Sequence, residues 1–293
     1  MTLAKRTAWF AARALRKAAQ ALDRTADAQT LAIQRGMSDQ DMDEDPDERY
    51  YARQYWHWLE PEVGRLAPNG DAHALEIGCG HGRLLLPLAR MLARGRVIGV
   101  DLTPAAIEAA RSKAAAENLA NVELHIGDAL AFVNALAPES FDLAVMTEVS
   151  FFMPQFREVV VGAYRALRRG GMFFASFRSQ HYNLLHSVRD GDWRSARLVL
   201  EKREGEWRGS STRFTWQTPG EVSEILATAG FELSAPLRGI GVCSGIAGDP
   251  FAAIAQPSAL SENDRQQLMQ IETSLAEDYA GCGRYILAIA TKI

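Results

Sequence analysis

Leu75-Glu-Ile-Gly-Cys-Gly-His-Gly-Arg83 is the stretch around which this sequence is organised. An apolar run, 72–77, leads into three glycines at alternate positions, and a helix-like stretch, 83–93, follows them. This order predicts a strand, a tight turn and the start of a helix. Because glycine adopts backbone angles that other residues avoid, such a turn lets a ligand approach the main chain closely. An ordinary strand-to-helix turn without a ligand is the plainer alternative.

The spacing of the glycines argues against a dinucleotide site. The dinucleotide fingerprint requires a glycine at position 83, where this sequence has Arg83. Glu76 also places an acid before the loop, where it would repel a pyrophosphate. A nicotinamide-dependent dehydrogenase is therefore disfavoured.

An acidic residue ends the second predicted strand. The strand 96–100 is followed by Asp101, which lies 19 residues after Gly82. In open α/β sheets, ligands bind beyond the carboxyl ends of the strands, so this side chain faces the cleft. A carboxylate there accepts both hydroxyls of a ribose, whether the cofactor is NAD or another nucleoside. Asp101 thus predicts a ligand that contains a ribose, but it does not distinguish NAD from another nucleoside cofactor.

The fourth predicted strand, 141–146, ends in Thr147 and Glu148. Both residues are placed in the cleft by the same argument from strand ends. A fifth strand of buried type, 172–177, follows after a helix. The alternation of strands and helices predicts an α/β fold with a mostly parallel sheet.

The composition and net charge of the sequence are typical of a soluble globular protein. The chain has 293 residues, of which 47% are hydrophobic and 23% charged, and its net charge is −4. This balance argues against a nucleic-acid partner, and no run of about 20 apolar residues predicts a membrane span. The three cysteines, Cys79, Cys243 and Cys282, lack metal-ligand spacing. We interpret them as reduced thiols and expect a cytoplasmic protein.

Two segments of opposite charge come before this region. Residues 1–35 predict an amphipathic helix with an alanine-rich face and a basic face. That helix would pack on its own domain or on a partner subunit, making a homo-oligomer; binding to a membrane surface or an acidic partner is the alternative. Residues 36–49 form a predicted solvated linker, because the stretch 38–48 contains seven acids and no base.

Several motifs together resemble those of class I S-adenosylmethionine (SAM) methyltransferases. They are the pattern E-x-G-x-G-x-G at 76–82, Gly-Asp-Ala at 127–129, L-R-x-G-G at 167–171 and the closing apolar strand at 284–290. The resemblance covers about 50–293 and implies SAM as the cofactor. It also implies a Rossmann-like sheet of seven mostly parallel strands, with helices on both faces and the last strand antiparallel.

The resemblance also implies roles for individual residues. The glycines would pass under the methionine part of SAM, and Asp128 would contact adenine, while capping the helix that begins at Ala129 is its structural alternative. Tyr51 and Tyr55 lie on a helix that would close over the site, although the same aromatic face would equally anchor a helix on the core. The predicted cofactor contacts are Tyr51, Tyr55, Glu76, Gly78, Cys79, Gly80, Gly82, Asp101, Leu102, Asp128, Ala129, Thr147 and Glu148.

An insertion, 178–215, interrupts the strand–helix alternation above the predicted cleft. Its aromatic and histidine content predicts a lid over a mostly apolar acceptor pocket. Glu148, His181 and His186 are the candidate general bases, each histidine having a packing role as its alternative. Tyr51, near the methyl donor, completes the predicted catalytic set; no metal is expected.

The sequence therefore predicts a SAM-dependent methyltransferase that acts on an oxygen or nitrogen of a small-molecule acceptor. Such a reaction depends mostly on proximity and alignment. A non-catalytic protein of the same fold, with the N-terminal segments as docking elements, is the rival hypothesis. SAM binding followed by product analysis distinguishes the two.

Overall fold

A computed structural model describes residues 45–206 and 213–293 of the chain. The predicted helix at 1–35 lies outside the described residues, as does most of the acidic linker. The described strands are β1 (His73–Ile77), β2 (Arg96–Asp101), β3 (Val122–Ile126), β4 (Phe141–Met146), β5 (Leu167–Arg178), β6 (Glu204–Glu206), β7 (Arg213–Thr215), β8 (Phe231–Leu233), β9 (Arg238–Ile240) and β10 (Tyr285–Lys292).

Eight of these strands form one sheet in the order β3-β2-β1-β4-β5-β10-β8, with β9 also paired to β10. Strands β1 to β5 are mutually parallel, whereas β10 runs antiparallel to β5. The strand order reverses between β1 and β4, because β1 continues to β2 on one side and meets β4 on the other. In open α/β sheets, ligands bind beyond the carboxyl ends at this switch point.

Nine α-helices occur in the described ranges. They are α1 (Pro46–Leu66), α2 (Leu85–Met91), α3 (Pro104–Ala116), α4 (Ala129–Ala135), α5 (Phe156–Ala166), α6 (Gln180–Arg189), α7 (Trp193–Glu201), α8 (Pro219–Ala229) and α9 (Glu262–Leu275). None of them is both long and apolar enough to cross a bilayer.

Two apolar cores cover the two faces of the sheet. Successive strand residues point to opposite faces, so Ala74 joins one core and Leu75 the other. Helices α1 and α2 contribute to the first core, and α4, α5 and α8 to the second. The mostly parallel sheet, the helices on both faces and the antiparallel last strand confirm the predicted fold class.

The sheet departs from the prediction at two strands. It contains eight strands rather than seven, because residues 238–240, which the count of seven strands does not include, pair with the first residues of β10. In addition, β5 begins at Leu167 instead of Met172, and its pairing with β4 contains an irregularity near Phe141. Both differences arise from backbone pairing at strand ends, where side-chain pattern carries little information.

The linker prediction was wrong for residues 46–49. Asp45 caps α1 by accepting hydrogen bonds from the backbone N–H groups of Asp47 and Glu48, at 2.8 and 3.3 Å. The side chains of Asp47 and Glu48 are buried. A run of acids that looks solvated in the sequence therefore ends in two carboxylates that pack inside the protein.

Candidate functional site

The glycine loop between β1 and α2 lies at the switch point. All three alternating glycines have positive φ angles: +75° for Gly78, +49° for Gly80 and +90° for Gly82. A Cβ added to Gly78 would lie 2.3 Å from a methyl carbon of Val149, so the loop packs tightly on the segment after β4. A Cβ added to Gly80 would meet nothing within 4 Å. The loop is closely supported at Gly78 and open at Gly80.

Asp101, at the end of β2, organises the open part of this loop. Its Oδ2 accepts a hydrogen bond from the backbone N–H of Gly80 at 2.9 Å. Its Oδ1 accepts one from the N–H of Thr103 at 2.8 Å, at the start of α3. The carboxylate thus joins the glycine loop to the next βα turn and remains only partly buried, beside Leu102.

Asp128 and Ala129 begin α4 beyond the next strand. The Asp128 carboxylate accepts a hydrogen bond from the N–H of Ala131 at 2.9 Å and therefore caps the helix. Its side chain is exposed at the same edge of the sheet. The capping role is present, and the adenine contact stays a prediction.

Cys79 and Glu76 are more deeply buried than Asp101 and Asp128. Cys79 is buried, and its sulfur would lie 2.7 Å from a Cβ placed on Gly99 of β2, so the thiol points into the sheet. Burial raises the pKa of this thiol well above its usual range. Glu76 is buried at 3% exposure in β1. Direct contact of Cys79 with a cofactor would therefore involve its backbone.

Glu148 follows β4 in a conformation that is rare for a residue with a side chain, with φ at +57°. Its N–H donates to the hydroxyl of Ser176, and its Oε2 pairs with the guanidinium of Arg83 at 3.1 Å. Its Oε1 is buried and has no hydrogen-bond partner in the described ranges. Thr147, next to it, is buried as well.

Glu148 is held ionised. Burial alone would raise its pKa, but the charges of Arg83, Arg284 and Arg178 together lower that pKa below its usual value. A carboxylate with a low pKa is a weak general base at neutral pH. The arrangement suits Glu148 better to binding a cation than to accepting a proton.

Arg83 also connects the glycine loop to helix α1. Its guanidinium reaches Oε2 of Glu48 at 3.1 Å, and Oε1 of Glu48 lies 3.6 Å from Arg284. Arg284 immediately precedes β10 and pairs in turn with Asp249 at 2.9 Å. Three arginines and three acids thus share this edge of the sheet: Arg83, Arg178, Arg284, Glu48, Glu148 and Asp249.

A cavity of about 290 Å³ borders the same edge. Phe151, which follows β4, and Arg178, at the end of β5, form part of its wall. The rest of the lining comes from α6, β7 and the loop before α9: Tyr182, Asn183, His186, Phe214, Ala247, Gly248 and Asp249. Five of these nine residues belong to the insertion 178–215 that the sequence predicted as the lid.

His186 is fixed on both sides of its ring. Its Nε2 lies 3.3 Å from Oδ1 of Asp249, which also accepts from the hydroxyl of Tyr182. Burial opposes ionisation of Asp249, but the bonds from His186 and Tyr182 and the charge of Arg284 lower its pKa to about 2. Because Asp249 is an anion, Nε2 of His186 donates to it, while Nδ1 lies 3.5 Å from Arg189.

Tyr51, Tyr55 and His181 are absent from the cavity wall. Tyr51 and Tyr55 are fully buried in α1, with their hydroxyls bonded to Ser244 at 3.0 Å and Ser176 at 3.1 Å. His181 packs near the ring of Phe251, and burial lowers its pKa. The two tyrosines anchor α1 on the core, and the predicted roles of all three residues at the methyl donor stay predictions.

Sequence reasoning missed several charged residues at this edge. Arg178 and Arg284 each adjoin a strongly apolar strand, and a charged residue at such a strand end is the signal that could have identified them. Glu48 was hidden within a run of similar acids. Asp249 lies in a loop far along the chain, where no local pattern marks it.

The family follows from a comparison of the sequence with protein-family models. A model described as a methyltransferase domain matches residues 68–230, more than half of the chain. This protein belongs to that family. The match confirms the resemblance to class I SAM-dependent methyltransferases. SAM is the cofactor of this family.

Two curated methyltransferases match a shorter part of the chain. The aklanonic acid methyltransferase DauC of Streptomyces sp. (strain C5) is 37% identical over 88 residues, which are 30% of this chain and 39% of the relative. The phthiotriol/phenolphthiotriol dimycocerosates methyltransferase of Mycobacterium tuberculosis is 34% identical over 106 residues, 36% of this chain and 37% of the relative. The matched part thus spans less than two fifths of each relative.

Solved structures support the same fold. A putative SAM-dependent methyltransferase from Listeria monocytogenes superposes with a TM-score of 0.55 at 16% identity. The alignment covers 83% of this chain and 98% of the Listeria chain.

Proposed function

We propose that this methyltransferase transfers the methyl group of SAM to an oxygen or nitrogen of a small molecule bound in the 290 Å³ cavity. One observation carries the proposal: the open glycine loop and the cavity lie at the same edge of the sheet, beyond the carboxyl ends of β1 and β4. The curated relatives named above, methyltransferases of aklanonic acid and of phthiotriol dimycocerosates, support a small-molecule acceptor.

The residues at the switch point fit SAM. Gly80 leaves open space where a cofactor can approach the backbone, and the partly buried carboxylate of Asp101 beside it suits ribose hydroxyls. Oε1 of Glu148, buried without a hydrogen-bond partner in the described ranges, suits the ammonium group. Bound SAM supplies an activated methyl group on a sulfonium.

The chain's own contribution is mostly positioning. Arg83 holds Glu148 ionised and links it to Glu48, so the acceptor for the ammonium group is fixed before the cofactor arrives. Phe151 and Phe214 give the cavity an apolar wall that limits water around the reacting groups. An acceptor with a low pKa needs no general base, and a base for any other acceptor stays a prediction for His181 or His186.

A cytoplasmic location is part of the same proposal. All three cysteines are free thiols, Cys79 buried and the other two partly so, which suits a reducing compartment.

Methyl transfer is tested with methyl-labelled SAM and a panel of phenols, carboxylic acids and amines. Labelled product and S-adenosylhomocysteine (SAH) should appear together in mass spectrometry for at least one class. Glu148→Gln should weaken SAM binding by removing the charge that faces the ammonium group. SAM binding without methyl transfer to any class would favour the non-catalytic alternative.

A further inference from the structure

Three of the nine residues that line the cavity carry phenyl or phenol rings. Phe151 and Phe214 lie with ring centroids 6.0 Å apart and planes inclined by 17°, and Tyr182 lines the cavity with them. A cavity of about 150 Å³ holds a benzene molecule, so 290 Å³ has room for two fused rings. The walls and the volume together suit a flat aromatic molecule.

Arg178 brings a positive charge to this cavity. It is 8% exposed, and its guanidinium lies over the rings of Phe151, Tyr182 and Tyr285 at 4.4, 4.5 and 4.0 Å. Nη2 donates to the hydroxyl of Tyr285, whereas Nη1 has no acceptor among the residues described. A buried cation with an unused donor is costly unless a bound group satisfies it.

The other two arginines of this edge differ from Arg178. Arg83 forms salt bridges with Glu48 and Glu148. Arg284 forms them with Glu48 and Asp249. Within the described ranges no carboxylate forms a salt bridge with Arg178, although its charge helps to lower the pKa of Glu148 and of Asp249. An anionic ligand is the partner that would complete its environment.

Asn183 presents a second polar group to the same cavity. It lies in α6 at 4% exposure, and its side-chain amide makes no hydrogen bond within 45–206 and 213–293. Its N–H₂ group can donate to an oxygen, as Nη1 of Arg178 can. Nη1 of Arg178 is a buried donor without a partner, which is unusual because buried polar groups are normally satisfied, and the Asn183 amide lies on the same cavity wall.

Asp249, the acidic residue on the cavity wall, forms its salt bridge with Arg284 and not with Arg178. Asp249 lines the wall, but it already pairs with Arg284 at 2.9 Å and accepts from Tyr182. His186, which also lines the wall, donates to the same carboxylate.

We infer that the cavity binds a flat aromatic carboxylate, whose anionic oxygens accept hydrogen bonds from Arg178 and Asn183 while its rings lie against Phe151 and Phe214. The inference rests on the proposed function, since it names the class of acceptor. It assigns Arg178 and Asn183 as the residues that select an acid over a neutral analogue.

The test measures binding of 2-naphthoate, 2-naphthamide and 2-naphthol by calorimetry, with SAH present. Naphthoate should bind at least tenfold more tightly than either neutral analogue. Arg178→Lys keeps the charge but loses the planar fork, and Asn183→Ala removes the amide. Each variant should weaken naphthoate binding by about 10- to 100-fold, the usual effect of losing a hydrogen bond to a charged group, and should leave naphthol binding nearly unchanged.

Matched controls lie outside the cavity. Arg157 also stacks on a phenylalanine, at 5.2 Å from the ring of Phe156, but it is exposed on α5. Asn134 is exposed at the end of α4. Arg157→Lys and Asn134→Ala should bind naphthoate as the unchanged protein does.

The possible outcomes distinguish failure of the inferred aromatic carboxylate from failure of the proposed methyltransferase function. SAH binding together with naphthoate binding no tighter than naphthamide or naphthol, or with both cavity variants unimpaired, overturns this inference alone. Failure of SAH itself to bind overturns the proposed function. If Arg178→Lys does not fold, Asn183→Ala decides the matter, since its side chain makes no hydrogen bond in the described ranges.

Discussion

At the scale of single residues, Asp101 has a structural role beside its proposed role in binding. Its carboxylate holds the N–H groups of Gly80 and Thr103. Asp101→Ala should weaken SAH binding by about 1–3 kcal/mol, because the ribose acceptor and the loop contact are both lost. Calorimetry measures the affinity, and thermal unfolding the stability.

Asp142 is the matched control for this change. Its carboxylate accepts from the N–H of His73 at 2.8 Å, at the opposite edge of the sheet. Asp142→Ala should lose stability without losing affinity for SAH. Equal affinities in the two variants would refute the assignment of Asp101 to the cofactor.

Two glycines of the loop should respond differently to an added methyl group. Gly78→Ala forces a contact with Val149 at 2.3 Å in addition to the strain of its positive φ, so it should cost about 2–5 kcal/mol of stability. Gly80→Ala adds a methyl group in open space and should cost only about 1–2 kcal/mol for its positive φ. It should nevertheless reduce SAH affinity by more than its effect on stability. SAH binding by Gly80→Ala at the original affinity would show that this open space is not the cofactor site.

The ionisation of Asp249 gives stability a specific pH dependence. Its pKa is about 2 in the folded protein against an ordinary 3.8, so folding favours the charged form. This contributes roughly 2 kcal/mol above pH 3.8, and the contribution is lost as the pH falls toward 2. The difference in unfolding free energy between the original protein and Asp249→Asn, measured with urea, should therefore be largest at neutral pH and should vanish only as the pH falls to about 2.

An exposed aspartate serves as the control for the pH experiment. Asp278 lies on the surface, and Asp278→Asn should match the original protein at every pH. A pH-independent difference for Asp249→Asn would contradict the proposed ionisation.

At the scale of elements, helix α1 depends on its first turn. Glu48 lies between Arg83 and Arg284, at 3.1 and 3.6 Å. Removing residues 1–35 leaves this turn and its cap Asp45 in place, so SAH affinity and stability should change little. Removing residues 1–49 leaves two buried arginines without Glu48 and should cost about 3–5 kcal/mol of stability.

Comparing the two truncated proteins shows whether residues 1–35 contribute to SAH binding. Thermal unfolding and SAH calorimetry on both proteins provide the measurement. Loss of SAH binding in a folded protein lacking only 1–35 would place that segment in the site.

The elements most accurately predicted from the sequence were those with strong local signals. Alternating glycines after an apolar run located β1, and the closing apolar run located β10, each to within a few residues. The start of α1 was missed, because an acidic run has the same composition whether it is solvated or paired with buried arginines. Burial of Glu48 is a property of the tertiary structure.

At the scale of the whole molecule, the order of the strands places the candidate site. Five parallel strands and the antiparallel β10 bring residues from distant parts of the chain to one edge. The sequence predicted the residues that directly follow β1, β2, β3 and β4, because each strand end is visible locally. It did not predict that Arg178, Asn183 and Asp249 line one cavity, since their meeting depends on how the insertion and the loop before α9 pack together.

The central claim is that the switch point binds SAM rather than a dinucleotide. Isothermal titration calorimetry of the complete chain with SAH and, separately, with NAD tests it most directly. We predict saturable binding of SAH at one site per chain, weakened in Asp101→Ala, and no binding of NAD. Binding of NAD without binding of SAH would contradict the account.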